Sequence, residues 1–303
     1  MKKIAFIGSA FGDGAPIFTT ALAPKYIKEN YNIVNKLRNL LIESYWYDIV
    51  EIKNPNKNCV SGKGKNYNAV LQHNKKLNSV IKTFLNNIIA EFPIIIGGDH
   101  SCAIASWHGI IDALNADEEY GLIWIDAHMD AHTLETSHSK FYHGMPISFL
   151  LGKNIDNFQL SPKVQIRPDN LVIIGARSFE AEEEKLLHSL EVRIFYIAEV
   201  RARGLEQIFK EAISIVNKKT KYFGVSIDLD AIDPKYAPGV GSPEPNGLSW
   251  LELKNTLPII FSNPNLSALE ITEFNPTRDI DDKTAEIILQ IVAVLAKCLS
   301  GKA

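Results

Sequence analysis

With 303 residues, 46% of them apolar and 22% charged, the chain is long enough to bury a large core and too apolar to be disordered. The 32 Lys and Arg stand against 35 Asp and Glu, a net charge of -3, so neither a nucleic acid nor an anionic membrane is expected as a partner. Three widely spaced cysteines, Cys59, Cys102 and Cys298, argue against a disulfide framework and point to reduced thiols in a cytoplasmic protein. Only Ile4 to Ile7 follow Met1-Lys2-Lys3 before Gly8, too short an apolar run for a signal peptide.

Along the chain, short apolar runs predict strands at Ile4–Gly8, Ile49–Ile52, Ile94–Ile96, Leu122–Ile125, Leu171–Gly175, Val192–Tyr196, Tyr222–Ile227 and Leu266–Ile271. Most are continuously apolar, as strands covered on both faces should be. Between them, helical periodicity spans Tyr67–Phe92, Ala103–Asn115, Glu180–Leu190, Leu205–Asn217 and Trp250–Phe261. The stretch Ala285–Leu299 carries Glu286, Gln290 and Lys297 and is too short to span a bilayer, so it reads as a buried C-terminal helix. Residues 53–66 and Pro234–Gly247 are polar loops. The alternation predicts one doubly wound α/β domain over 1–303, with a mainly parallel sheet.

Parallel sheets place their chemistry at the carboxyl ends of strands, and the polar clusters fall there. Gly97-Gly98-Asp99-His100-Ser101 follows the third predicted strand, Asp126-Ala127-His128-Met129-Asp130 the fourth, Asp228-Leu229-Asp230 the seventh and Glu273 the eighth. Six of the eight histidines lie between His100 and His143. Residues two apart in extended backbone point the same way, so Asp126, His128 and Asp130, like Asp228 and Asp230, are expected to aim their side chains together. Several carboxylates with two imidazoles exceed the needs of one tetrahedral metal and suit two divalent ions of the manganese type sharing carboxylates. The plainer reading makes each Asp a helix cap and each His a satisfied core residue.

Other motifs carry less. Gly8–Gly14 (GSAFGDG) lacks the G-x-G-x-x-G spacing of dinucleotide sites, and residues 61–66 (SGKGKN) lack the phosphate-loop pattern. Both read as turns. No G-x-S-x-G elbow supports a serine nucleophile.

The set GGDHS at 97–101, DAHMD at 126–130, SIDLDAIDP at 226–234 and EITEFNP at 270–276 resembles the ureohydrolase family, which includes arginases and agmatinases. The resemblance runs from the first predicted strand to the last helix. It implies a three-layer α/β/α sandwich around an eight-stranded sheet, and cleavage of a guanidino group to urea and an amine with two Mn2+ per subunit. Carried over residue by residue, it implies one ion on His100, Asp126, Asp130 and Asp228, and a second on Asp126, His128, Asp228 and Asp230. Asp130 would orient the attacking water, Glu273 would hold the guanidinium, and His143 would deliver a proton to the leaving amine.

Within the family, HSKFYHGMPISFLLG at 138–152 and the sheet's start near Met1 favour arginine as substrate. Ser139 matches a serine facing the substrate carboxylate. His132 stands where arginases carry an asparagine, Glu180 where they carry an aspartate serving the amino group, and Ser242 replaces the usual threonine in a Gly241–Gly247 loop closer to the agmatinase form. On this reading His132 and Ser139 would donate to the carboxylate of an amino-acid substrate. Agmatine, other guanidino acids and formimidoylglutamate remain alternatives, as do a single-zinc deacetylase-like enzyme and a non-catalytic metal-binding relative. The family also implies a homo-oligomer, trimer or hexamer, although Leu251 replaces an arginine of the trimeric interface.

Overall fold

The computed structural model of the chain describes residues 3–39, 42–87, 91–116, 119–154, 160 and 165–301. Its strands are β1 (Lys3–Ala10), β2 (Ser44–Glu51), β3 (Glu91–Ile96), β4 (Tyr120–Ile125), β5 (Leu171–Ala176), β6 (Arg193–Tyr196), β7 (Tyr222–Asp228) and β8 (Leu266–Thr272). They pair in parallel throughout, in the order β2-β1-β3-β8-β7-β4-β5-β6. The helices are α1 (Ala23–Tyr31), α2 (Ile33–Arg38), α3 (Tyr67–Asn87), α4 (Ala103–Ala113), α5 (Pro146–Leu150), α6 (Ala181–Ser189), α7 (Ile197–Arg203), α8 (Leu205–Val216), α9 (Trp250–Phe261) and α10 (Lys283–Leu299).

The helices cover both faces of the sheet, because neighbouring residues of each strand point to opposite sides. Ile4, Phe6, Ile94 and Ile96 pack with Ile27 of α1, Ile208 of α8, Leu257 of α9 and Ile288 of α10. Ala5, Ile7 and Ile95 pack on the other side with Leu77, Ile81 and Phe84 of α3 and Trp107 of α4. The fold is thus the three-layer sandwich expected. The C-terminal helix is buried through Ala285, Ile288, Ile291, Val292 and Leu295. No helix among the described residues is long and apolar enough to cross a membrane.

Two predicted elements differ. The helix read as Tyr67–Phe92 ends at Asn87; residues 88–90 lie outside the described residues, and Phe92 belongs to β3, opposite Ile4 of β1. An apolar run satisfies either period, and pairing with β1 decides it. The second strand begins at Ser44, not Ile49, because Ser44–Tyr47 form a half-buried edge segment that lacks a continuous apolar signal. The short helices α1, α2, α5 and α7 were not among the predicted elements.

The order of strands matters for function. β3, β8, β7 and β4 are consecutive in the sheet, although β3 and β4 are neighbours in sequence and β7 and β8 come late. The four segments carrying the polar clusters therefore end side by side.

Candidate active site

His100 is positioned first. Asp99 caps the turn His100–Cys102 by accepting the Ser101 N–H at 2.9 Å, and it also accepts the Gly14 N–H at 2.8 Å. The loop read as a plain turn at Gly8–Gly14 is therefore a brace, since the Gly14 carbonyl also accepts the His143 N–H at 3.0 Å. Gly98 has no alternative, as a Cβ there would overlap the Phe11 carbonyl oxygen. Burial pushes Asp99 up to about 6.

The His100 ring stacks on Trp124 at 4.1 Å and meets Ser226 Oγ through Nε2 at 3.0 Å. Ser226 donates to Glu270 at 2.9 Å, and Glu270 also accepts the Trp107 indole N–H at 2.9 Å and the Ser106 hydroxyl. All of these side chains are buried. The other ring nitrogen, Nδ1, is buried without a hydrogen bond. It faces Asp126 Oδ2 at 3.3 Å, Asp130 Oδ2 at 3.2 Å and Asp228 Oδ2 at 2.9 Å.

A second group adjoins it. His128 Nδ1 lies 3.5 Å from Asp126 Oδ1 and 3.2 Å from Asp230 Oδ2. Asp126 thus offers one oxygen to each group. Two triads able to hold a metal, His100–Asp126–Asp130 and Asp126–His128–Asp230, share it, their ligand atoms lying within 4.8 Å of one another. The pairs converge by turns, contrary to the extended spacing expected. Asp126 Oδ1 accepts the His128 N–H at 2.7 Å, Asp228 Oδ1 accepts the Asp230 N–H at 2.8 Å, and Asp230 lies in a 3-10 turn. Asp130 and Glu273 both have positive φ, 48° and 65°, a sparsely populated conformation for non-glycine residues.

The charges are unbalanced as the side chains stand. Burial opposes ionisation of Asp228 and, with Asp230 and Asp126 nearby, drives its carboxyl well above the usual range. Burial and Asp126 push Asp130 up to about 7. Burial works against charge on His100, but the three surrounding carboxylates outweigh it and raise its pKa. Four buried carboxylates and an orphaned imidazole nitrogen form a donor set of hard oxygen and nitrogen that divalent cations fit, since buried anions need a counter-charge.

A cavity of about 220 Å3 opens above this cluster. Every residue expected at the site lines it except Asp126, which lies buried beneath: His100, His128, Asp130, His132, Ser139, His143, Glu180, Asp228, Asp230, Ser242 and Glu273. Glu273 accepts the His100 N–H at 2.8 Å, and a Cβ at Gly241 would press within 2.5 Å of its Oε2. His143 Nδ1 is 3.9 Å from Glu273. Burial, reinforced by His128 and His100, lowers His143 to about 4.

His132 is not oriented as the sequence suggested. Its Nε2 faces Glu180 Oε2 at 3.1 Å and Glu183 Oε2 at 3.3 Å, and its Nδ1 meets Thr136 Oγ1 at 3.1 Å. Glu183 was not singled out from sequence; its only signal was a position three residues after Glu180, the spacing of a capping box, which the helix start indeed forms. Arg177 was also missed. Its guanidinium donates to the carbonyls of Asp230, Ala231, Glu244 and Pro245 and fastens two active-site loops together.

Comparison with known proteins agrees with this geometry. The Arginase family model matches residues 2–297. Arginase from Bacillus subtilis (strain 168) is 35% identical over 237 residues, covering 76% of this chain and 77% of its own. Arginase from Staphylococcus aureus (strain COL) is 30% identical over 299 residues, 96% of each chain. The structure of arginase from Bacillus caldovelox superposes with a TM-score of 0.87 at 29% identity, covering 98% of both chains. With its sheet, its paired carboxylate–imidazole clusters and this match over nearly the full length, the chain belongs to the arginase family of ureohydrolases.

Proposed function

We propose that the chain, as one catalytic domain over 1–303, is a binuclear manganese enzyme that hydrolyses L-arginine to L-ornithine and urea. The observation that carries this reading is Asp126, whose two oxygens face two separate imidazole–carboxylate groups. His100, Asp126, Asp130 and Asp228 would hold one Mn2+, and Asp126, His128, Asp228 and Asp230 the other. When bound, the ions lower the pKa of water so that a nucleophile exists at neutral pH.

The protein's own groups do the rest. Asp130 accepts a hydrogen bond from the attacking water and so aims it. Glu273 pairs with the planar guanidinium. Water adds to the guanidinium carbon, the bond from that carbon to the alkylated nitrogen breaks, and the leaving amine takes a proton. His143 relays that proton. Arginine as substrate is supported by the names of the relatives. We place the protein in the cytoplasm as a homo-oligomer, trimer or hexamer.

The test is urea release by the manganese-supplemented protein, with metal content measured alongside. Two manganese ions per chain and urea from arginine are expected. Cleavage of agmatine, another guanidino acid or formimidoylglutamate in place of arginine would move the substrate within the class. One zinc with deacetylase activity would overturn the class.

A further inference from the structure

We infer that His73, held between the Ser9 hydroxyl and the Phe11 ring, is a positioning residue that sets the placement of His143 in the cleft. This rests on the reading above, in which His143 relays a proton. His73 does not line the cavity, so it acts through the loop that follows β1. Its ring is fully buried on α3, with Nε2 2.8 Å from Ser9 Oγ. Its plane lies 14° from that of Phe11, with the ring centroids 4.4 Å apart. Nδ1 has no hydrogen bond. One hydrogen bond and one stacked face therefore fix the ring.

Residues 11–14 depend on Phe11 for a foothold. Gly12 and Gly14 have no side chain, and Asp13 turns to Lys57 Nζ at 2.6 Å. Phe11 is buried among Ala69 and Val70 of α3, Ile104 of α4, Tyr142 and Met145. Its N–H donates to the Ser9 carbonyl at 3.0 Å, and its own carbonyl accepts the Asp99 N–H at 3.0 Å. Asp99 accepts the Gly14 N–H at 2.8 Å, and the Gly14 carbonyl accepts the His143 N–H at 3.0 Å. A continuous line of contacts thus runs from His73 through Phe11, Asp99 and Gly14 to the backbone of His143. A second line runs through Phe11 to Tyr142 and Met145, which flank His143 and Gly144.

An aliphatic side chain could fill the same volume. It could not bond Ser9, which is fully buried, and it would offer Phe11 no flat face. A buried hydroxyl that loses its partner is costly, so the end of β1 and the loop behind it would shift to find another. Misplacing a reacting group by about 1 Å can cost about 100-fold in rate.

His73→Leu and His73→Gln should be compared in the manganese-loaded full chain with arginine as substrate. His73→Leu should lose about ten-fold or more in kcat, with KM within about two-fold and both metals retained. His73→Gln keeps a planar group and an N–H for Ser9, and should stay within about three-fold of the unmodified protein. In a His143→Asn background, His73→Leu should cost less than about two-fold, because its route ends at His143. An equal loss in both backgrounds, or equal activity of His73→Leu and His73→Gln, would overturn the inference. If His73→Leu does not fold, Ser9→Ala removes the same bond more gently and repeats the cycle, with a fall in kcat of about three-fold or more that vanishes in the His143→Asn background. Amide hydrogen exchange separates the two levels of argument. Exchange at Gly14 and His143 should quicken by about ten-fold in His73→Leu, or in Ser9→Ala, while β8 is unchanged. Faster exchange in a protein that releases urea from no guanidine would uphold the brace and end the ureohydrolase reading. Unchanged exchange at both amides would end the inference alone.

Discussion

Nδ1 of His100 lies 2.9 Å from Oδ2 of Asp228, and no hydrogen bond satisfies that nitrogen. A buried imidazole nitrogen turned on three carboxylates is the arrangement of a ligand set, in which a cation sits between groups that otherwise compete for one proton. Asp228→Asn keeps the shape and removes one charge. The variant should lose urea release by more than about 100-fold, the upper range for weaker outer contacts of a metal site, and should hold less manganese by elemental analysis. Full activity with normal manganese content would end the two-metal proposal.

Ser226 links His100 to Glu270 and thereby keeps the proton on Nε2. Ser226→Ala leaves the His100 Nε2–H buried and unpaired while Glu270 keeps Trp107 and Ser106, so Nδ1 is no longer reserved for a metal. Manganese affinity, titrated calorimetrically into metal-free protein, should weaken about 10–100-fold with the circular dichroism unchanged. Unaltered affinity would show that packing against Trp124 alone orients the ring.

His143 touches no carboxylate of the two metal triads and sits at the cleft wall near Glu273. His143→Asn should therefore lower kcat by about 10²–10⁴-fold, the range for a general acid or base, while both manganese ions remain. Loss of metal from this variant would recast the residue as a ligand.

His73 lies far along the sequence from these groups, fully buried between Ser9 Oγ at 2.8 Å and the Phe11 ring at 4.4 Å. Burial, with Lys76 adding to it, lowers its pKa from 6.5 to about 3. The unfolded chain therefore binds more protons than the folded one between pH 6.5 and pH 3. Stability associated with neutral His73 is complete above 6.5 and is lost as pH falls through that window. Between pH 7 and pH 5 the loss should be about 2 kcal/mol from this residue. Urea denaturation at both pH values should show a difference smaller by about that amount in His73→Gln; an identical difference would locate the acid sensitivity elsewhere.

The candidate chemistry is legible in the sequence because histidines and aspartates are rare in such density. The clusters around His100, Asp126–Asp130 and Asp228–Asp230 follow strands whose continuous apolar runs mark them as central and parallel, so their convergence on one sheet end follows from the sequence alone. Less legible were the residues whose work is done through backbone. Arg177 carries no motif, and its contacts to carbonyls of Asp230, Ala231, Glu244 and Pro245 exist only once two loops distant in sequence are adjacent. Gly14 read as a turn residue, and its brace between Asp99 and His143 depends on loops that meet only in space.

The sequence by itself determined the class of fold and the inventory of candidate ligands, because apolar period and residue type are local properties. It did not determine direction. Asp126 and His128 share a side through a turn closed by the carboxylate, not through extended backbone, and strand spacing cannot distinguish the two. The fate of His132 was likewise decided only in three dimensions. Its sequence position suited a donor to a substrate carboxylate, but α6 brings Glu180 and Glu183 to its Nε2. A hydrogen-bond donor goes to the strongest acceptor within reach, and reach is set by how the helix packs against the sheet.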